Sequence, residues 1–317
     1  MPKVSVLVPI YNAAEYLRQA LDSLIGQTLS DLEIICINDG STDDSSKIIQ
    51  EYAKRDRRIL VIDKSNSGYG DSMNQGIKRA KGEYIGILEP DDYLDPEAFA
   101  KLYQLADWNK ADIVKSNYFL LENGKNRKLE NIRRKDTGKI INPRQDHFVF
   151  RLPHAVWATL YRREFLLANH LEFLPTPGAS YQDIGFNTKT LALAKRVALT
   201  DQAYLHYRTD NVNSSSNSVG KLECTPAEYA SIEEFLQQRN LGELIPTITA
   251  TKFGNYLWNI LRLPAPAARK FYQTTLTELR AAQAKGLLQR SEFVPKYWFV
   301  AQMMLRAPKL TEKFLIH

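Results

Sequence analysis

Cysteine is nearly absent: Cys36 and Cys224 are the only two in 317 residues, and they lie far apart. That excludes a disulfide framework and any zinc-finger spacing, and it suits a reducing, cytoplasmic setting. No stretch approaches the apolar length of a membrane span. The N-terminus, Met1-Pro-Lys-Val-Ser-Val, runs straight into an apolar segment, so no secretory leader is legible. No compact Lys/Arg run with interleaved aromatics occurs, so nucleic-acid binding is not expected. The formal charge of +6 is modest. It suits an anionic substrate or loose attraction to an anionic membrane.

The first half of the chain alternates apolar runs with helical spacing. Residues 4–8, 32–37, 59–62, 83–88 and 113–116 read as buried strands. Between them, residues 14–25 place Leu17, Leu21, Leu24 and Ile25 on one helical face, and further helices are expected from Asp43 to Tyr52, over 72–80 and after Pro96. Strands alternating with helices imply βαβ units and a mostly parallel sheet. The polar, turn-rich run Glu122-Asn-Gly-Lys-Asn-Arg-Lys128 predicts a hairpin or excursion. Periodicity returns over 155–161 and 163–168, a helix is expected over 183–194, and a strand over 203–207. After about residue 220 the pattern becomes helical, with candidates over 226–238, 246–261, 266–284 and 291–305, mostly set between Pro or Gly. Two domains are therefore expected, 1–220 and 221–317.

Three short motifs follow three of the strands: Pro9-Ile-Tyr-Asn12, Asn38-Asp-Gly-Ser-Thr-Asp43 and Glu89-Pro-Asp-Asp92. The carboxyl ends of parallel strands are where an α/β sheet binds its ligand. Asp39 can accept the imide N–H of a uracil, or serve an Asx turn leading to the next helix. Tyr11 can stack on a base or pack. Glu89 and Asp91, two apart on extended backbone, can face one site and offer hard oxygen ligands to Mg²⁺ or Mn²⁺; Asp92 or Asp95 can instead cap the helix near Pro96. In Gly68-Tyr-Gly-Asp-Ser-Met-Asn74-Gln-Gly76, Gly68 allows close backbone approach to a ligand, or a plain turn, and Asn74 can hold the loop that carries the carboxylates. Trp157, with His154 nearby, can wall an acceptor site or pack in the core.

In this order and spacing these residues resemble family 2 glycosyltransferases of the GT-A fold. The resemblance covers about residues 3–220 and is strongest in the first 100. It implies inverting transfer of a sugar from a nucleotide-diphosphate sugar, usually a UDP-sugar, with Mn²⁺ or Mg²⁺. Carried over by position, Pro9, Tyr11, Asn12 and Asp39 line the nucleoside pocket, with Gly68 and Asn74 beside it. Asp91 matches the main metal-bound acid of the Asp-x-Asp motif, and Glu89 replaces its first Asp. Ser72-Met73-Asn74 stands where many relatives have Ala-Arg-Asn, which removes one diphosphate contact. Gln182-Asp183-Ile-Gly-Phe186 resembles the Glu-Asp-x-x-Phe motif, making Asp183 the catalytic base. Arg208 and Ser214 match the segment that closes on the diphosphate, and His206 matches a histidine that ligates metal in some relatives.

The resemblance implies a glycan acceptor on a glycoprotein, polysaccharide or lipid carrier, and weakly favours glucose or galactose. The aromatic and basic tail (Tyr256, Trp258, Phe271, Tyr297, Trp298, Phe299, with Lys296, Arg306, Lys309 and Lys313) can pack on the catalytic domain, form a homo-oligomer interface or touch a membrane as a peripheral contact; packing with self-association is expected. Two other functions compete. A non-catalytic nucleotide-sugar-binding partner would need no Asp183, and a nucleotidyltransferase would want a basic, glycine-rich loop where Tyr11-Asn-Ala-Ala-Glu15 stands.

Overall fold

The structure is a computed structural model, and it describes residues 1–178, 181–211 and 224–316. They form two compact units. One comprises 1–146 and 152–211; the other comprises His147–Arg151 and 224–316. The boundary expected near residue 220 lies outside the described residues.

The first unit is an α/β layer structure. Its strands are β1 (Val4–Ile10), β2 (Leu32–Asp39), β3 (Ile59–Lys64), β4 (Tyr84–Ile87), β5 (Tyr93–Leu94), β6 (Ile113–Glu122), β7 (Lys125–Leu129), β8 (Ile140–Ile141), β9 (Thr159–Arg162) and β10 (Val197–Arg208). Its helices are α1 (Ala14–Ile25), α2 (Ser45–Arg55), α3 (Tyr69–Arg79), α4 (Ala98–Asn109), α5 (Arg163–Ala168) and α6 (Gln182–Leu193). The strands lie in the order β3-β2-β1-β4-β9-β6-β10-β5. From β3 to β4 every pairing is parallel; β9 then runs antiparallel between β4 and β6. β1 and β2 are buried on both faces, as their largely apolar runs require, and the polar Ser5 of β1 and Glu33 of β2 satisfy each other, the Ser5 hydroxyl donating to the Glu33 carboxylate. Cys36 is part of that core, and burial pushes its thiol up to about 12.

The order reverses between β1 and β4, which opens a crevice there. β1 pairs with β2 as far as Ile10 but with β4 only to Leu7. Leu7 O accepts from Leu88 N at 3.0 Å, so Pro9, two residues on, turns its donor-less nitrogen to the same side, beyond the last β4 partner. A proline is thereby accommodated in a central strand. The hairpin expected after Glu122 is the β6–β7 turn, with Asn123 (φ 50°) and Gly124 (φ 74°) in the left-handed region that a two-residue hairpin loop uses.

The helical unit contains α7 (Cys224–Gln238), α8 (Ile245–Arg262), α9 (Ala265–Ala284), α10 (Pro295–Arg306) and α11 (Pro308–Leu315). Proline opens α8, α9, α10 and α11, where a missing N–H costs nothing. Tyr229, Ile232, Leu236, Ile248, Tyr256 and Tyr272 form its interior. Lys252 pairs with Glu233 of α7 at 2.7 Å and Glu278 of α9 at 2.8 Å, joining three helices. Thr247 donates to Glu292 at 2.8 Å, and the His147 ring lies 3.1 Å from the same carboxylate, which binds His147–Arg151 to this unit. None of the described helices is long and apolar enough to cross a membrane.

Candidate active site

Asp39 ends β2 and is buried; Oδ1 accepts the Ser67 N–H at 2.9 Å and an ammonium proton of Lys64, and Oδ2 accepts the Gly68 N–H at 3.0 Å. The Asx turn belongs to its neighbour instead: Asn38 Oδ1 accepts Ser41 N–H at 3.1 Å. Asp43 joins two helix starts, accepting from Ala14 N at 3.0 Å and Ser45 N at 2.9 Å. Asn12, at φ 50°, accepts the Thr42 N–H at 2.8 Å, tying the β1 turn to the β2 turn. Beside it Tyr11 is 53% exposed, an aromatic face open to solvent.

The glycine-rich segment packs on protein. Gly68 has φ 94°, and a Cβ there would stand 2.8 Å from Gly178 N and 2.9 Å from Thr176 O. At Gly70 it would stand 2.2 Å from Leu174 O. These glycines let the first turn of α3 seat against residues 174–178, the strand of chain leading to α6. Asn74 completes the seat: its amide donates to Phe173 O at 2.9 Å and accepts from Phe173 N at 2.8 Å. Both its polar ends are thus occupied by the loop.

The acid turn follows β4. Tyr69 donates to Glu89 Oε1 at 2.8 Å. Burial, with Asp91 and Asp183 nearby, pushes Glu89 up to about 8. Asp91 Oδ2 accepts from Asn211 at 2.8 Å. Asp92 is buried; its Oδ1 accepts the Arg208 N–H at 2.8 Å, its Oδ2 has no partner among the described residues, and burial raises it well above the usual carboxylate range. Arg208, expected on phosphate, here braces the turn: Nε donates to Asp91 O at 2.9 Å and Nη2 to Gln19 at 2.7 Å, over the Tyr16 ring at 4.5 Å.

Asp183 lies in the first turn of α6, where the helix dipole favours a carboxylate. Burial nevertheless raises it to about 6, and Lys115 opposes that rise. Tyr181, one residue before the helix, sits at φ 63°, an unusual conformation for an aromatic residue. Gln182 is buried and donates to Thr176 Oγ1 at 2.8 Å and Gly178 O at 3.1 Å. A carboxylate cannot donate, so the departure from Glu at this position has a local reason.

Two expected residues lie apart in chemistry from these acids. His206 has one ring nitrogen 3.0 Å from Asp95 Oδ1 and the other 2.8 Å from Asn126 Oδ1, and it is stacked between Tyr93 and Phe119. Coordinating a metal would break one of those bonds. Trp157 stacks on Tyr207 at 4.7 Å and meets Tyr118 edge-on at 4.5 Å, so one of its faces is already covered. Ser214 lies outside the described residues. Among the described residues no three His, Cys, Asp or Glu side chains could hold an ion alone. A divalent cation bound to nucleotides takes one or two carboxylates and completes its shell with phosphate oxygens and water. Glu89 and Asp91 supply that number of hard oxygens, and the buried Asp92 oxygen without a partner lies in the same turn.

Residues 5–168, just over half of the chain, match the family profile described as Glycosyl transferase family 2. The chain belongs to glycosyltransferase family 2. It is 34% identical over 247 residues to the uncharacterized glycosyltransferase EpsJ of Bacillus subtilis (strain 168), covering 75% of this chain and 68% of that one. To the uncharacterized glycosyltransferase YibD of Escherichia coli (strain K12) it is 32% identical over 219 residues, 67% of this chain and 63% of that one. The fold is also that of S. aureus TarS 1-349 in complex with UDP-GlcNAc, with a TM-score of 0.62 at 19% identity over 96% of this chain and 92% of that one. The GT-A type of sheet expected from the sequence, with helices after it, is thereby shown.

In this transferase the buried Lys115 of β6 is a residue that sequence reasoning missed. It is 3% exposed and donates to Asn187 Oδ1 at 2.8 Å and Thr159 Oγ1 at 3.0 Å, both neutral. Asn187 lies one turn beyond Asp183 on α6, on the same face, and also contacts His154 Nδ1 at 3.1 Å. Burial lowers Lys115 to about 7, and burial beside Lys115 lowers His154 to about 4. The charged signal was the lysine itself, set inside an apolar strand. The rise of Asp183 is opposed by backbone N–H groups at the start of α6 and then by Lys115, the one cation acting on it among the described residues. Lys115→Met should therefore raise the proton affinity of Asp183. The acid limb of kcat/KM against pH, expected near about 6, should move upward, while Lys115→Arg moves it less. A limb that stays in place in the Met variant, with activity measurable, would detach Lys115 from Asp183.

Proposed function

We propose that this transferase moves a hexose, glucose or galactose in first place, from a UDP-sugar to a glycan acceptor with inversion, assisted by Mn²⁺ or Mg²⁺. The acceptor is carried on a glycoprotein, a polysaccharide or a lipid. The catalytic unit is assigned to 1–220 and a separate helical domain to 221–317, working at the cytoplasmic face of a membrane, with the helical part associating with a second copy or with the membrane surface. The observation that carries this reading is the acid turn of residues 89–92 after β4 at the β1–β4 switch point, joined by Tyr69 to α3, whose first turn seats on residues 174–178 ahead of Asp183. Likeness to a protein solved with UDP-GlcNAc supports the donor class. A mannosyltransferase of Pyrobaculum calidifontis in complex with GDP-Man and Mn²⁺, of similar fold with a TM-score of 0.52, supports the cation.

On this reading Pro9, Tyr11, Asn12 and Asp39 form the nucleoside end: Tyr11 stacks and Asp39 accepts from the base. Gly68 and Asn74 hold the wall between them and α6. Asp91, with Glu89, would hold the cation, which when bound neutralises charge on the diphosphate leaving group. Asp183 takes the proton of the acceptor hydroxyl as its oxygen attacks the anomeric carbon; the bond from that carbon to the diphosphate oxygen breaks, and UDP departs with the electron pair. Arg208 keeps the acid turn in place during that charge build-up, and Trp157 offers an aromatic wall to the acceptor sugar. Ser214 is assigned to the diphosphate, and His206 would reach the cation only by giving up Asp95 or Asn126.

The alternative of a non-catalytic nucleotide-sugar-binding partner has no use for a carboxylate whose proton affinity is set near the working pH. Incubating the protein with UDP- and GDP-sugars, with Mn²⁺, Mg²⁺ or EDTA, tests the choice. Cation-dependent UDP release from one UDP-sugar is expected. Silence throughout, together with no UDP binding by calorimetry, would overturn the donor assignment and favour the non-catalytic partner.

A further inference from the structure

The last two helices carry a surface that the transfer reaction does not use. In α11, Leu310 is 64% exposed and Phe314 is 69% exposed, while Thr311 between them is 1% exposed. Leu310 and Phe314 are four apart and share a face. Lys309 and Lys313, each one residue before them, are exposed as well. In α10, Phe299 is 64% exposed and Arg306, seven residues on, is exposed on the same side of the helix.

Acids are scarce on these two helices. α10 contains none. The one acid in α11, Glu312, is half-buried and accepts from Gln273 of α9 at 2.9 Å, so its charge is engaged on the side of α11 that meets α9. Tyr272 of α9 donates to Pro308 O at 2.7 Å, which pins the start of α11 to the bundle. The helix is thus held with large apolar and cationic side chains outward together, a pattern that leaves apolar surface in water unless something covers it.

We propose that the outward faces of α10 and α11 dock this protein on an anionic lipid bilayer. This narrows the association assigned to the helical unit to one partner. A bilayer interface takes both kinds of side chain at once: Phe299, Leu310 and Phe314 enter the boundary between headgroups and acyl chains, and Arg306, Lys309 and Lys313 stay among the phosphates. The lysine stems can lie along the apolar surface while their ammonium groups reach outward. A second copy meets the opposite condition. A two-fold interface would set this patch against itself and bring lysines to lysines without acids to answer them. Charge complementarity therefore selects the lipid surface.

The test uses the full chain and sedimentation with vesicles, one set of phosphatidylcholine alone and one of phosphatidylcholine with an equal share of phosphatidylglycerol. Binding to the anionic vesicles, weakened by salt and at least about tenfold stronger than to the neutral ones, is expected. Leu310→Ser with Phe314→Ser, and separately Lys309→Glu with Lys313→Glu, should each reduce it about tenfold or more. These side chains are exposed, so circular dichroism and thermal unfolding should be unchanged. UDP release from the donor in solution should persist in both variants, which separates this result from the fate of the transferase reading. Equal binding to both vesicle types, no binding at all, or wild-type binding by both double variants would overturn the proposal. So would light scattering that shows a dimer in the wild type and a monomer in the Leu310/Phe314 variant, because the face would then belong to a second copy.

Discussion

Asp183→Asn should lower the transfer rate by about 10²–10⁴-fold, the range for loss of a positioned general base, while UDP binding stays within a small factor of wild type. The substitution keeps shape and one acceptor oxygen at the start of α6 but cannot take a proton. Position matters as much as chemistry here. The two amide protons of Gln182 go to Thr176 Oγ1 and Gly178 O, and Phe186 stacks on Phe173 at 3.9 Å, so the start of α6 is held by the segment 173–178. Burial raises the carboxyl to about 6, so the base form is lost as pH falls through that value and the rate should fall with it. Single-turnover rates measured with saturating donor, and UDP titrated by calorimetry, check both halves. Near-normal turnover in Asp183→Asn would remove the residue from the role.

Asp91→Ala carries the second large effect. Removing the carboxylate should cost at least about a hundredfold in turnover, in keeping with the several kcal/mol that a Lewis-acid cation contributes. It should also abolish the strengthening of UDP-sugar binding by Mn²⁺. The fold should tolerate it, because Arg208 Nε is held by the Asp91 carbonyl, which alanine keeps. Asp92→Ala would be a poor substitute, since it removes the acceptor of the Arg208 N–H and so confounds chemistry with structure. Binding measured with Mn²⁺ and with EDTA decides the matter. An Asp91→Ala protein that still binds more tightly with Mn²⁺ would move the cation elsewhere.

How much of this was legible beforehand follows from the length scale of each signal. α1 spans 14–25 as its apolar spacing indicated, and β2 follows an apolar run broken only by Glu33. Patterns of that length are self-contained. α3 begins at Tyr69, three residues before its expected start, because the glycines that discourage a helix locally are required by the backbone of 174–178. α10 begins at Pro295, and 290–292 form a separate 3-10 turn. β5 and β8 have two residues each, too few for any periodicity, and exist only because β10 pairs with both. α11 was not expected, since Pro308 reads as a stop as readily as a first turn. At the candidate site, acids beside strand ends were visible as motifs. Lys115 was not, since nothing near it in sequence shows that β9 and α6 bring Thr159 and Asn187 to its ammonium group.

The bracing of the acid turn by β10 has a consequence for assembly. The parallel pairings among β1 to β4 all lie within residues 4–87. Glu89 to Asp92 are different: among the described residues β5 pairs only with β10, and the backbone N–H that holds Asp92 belongs to Arg208, 116 residues later. Contacts so distant along the chain close late, because loop-closure entropy must be met first. During synthesis the nucleoside end can therefore take shape on the first strands while the acid turn waits for β10 to emerge. The acid turn is fixed only once Arg208 has arrived to hold Asp92 and the Asp91 carbonyl, so the part of the site that would grip the diphosphate is set at the last step of folding rather than the first.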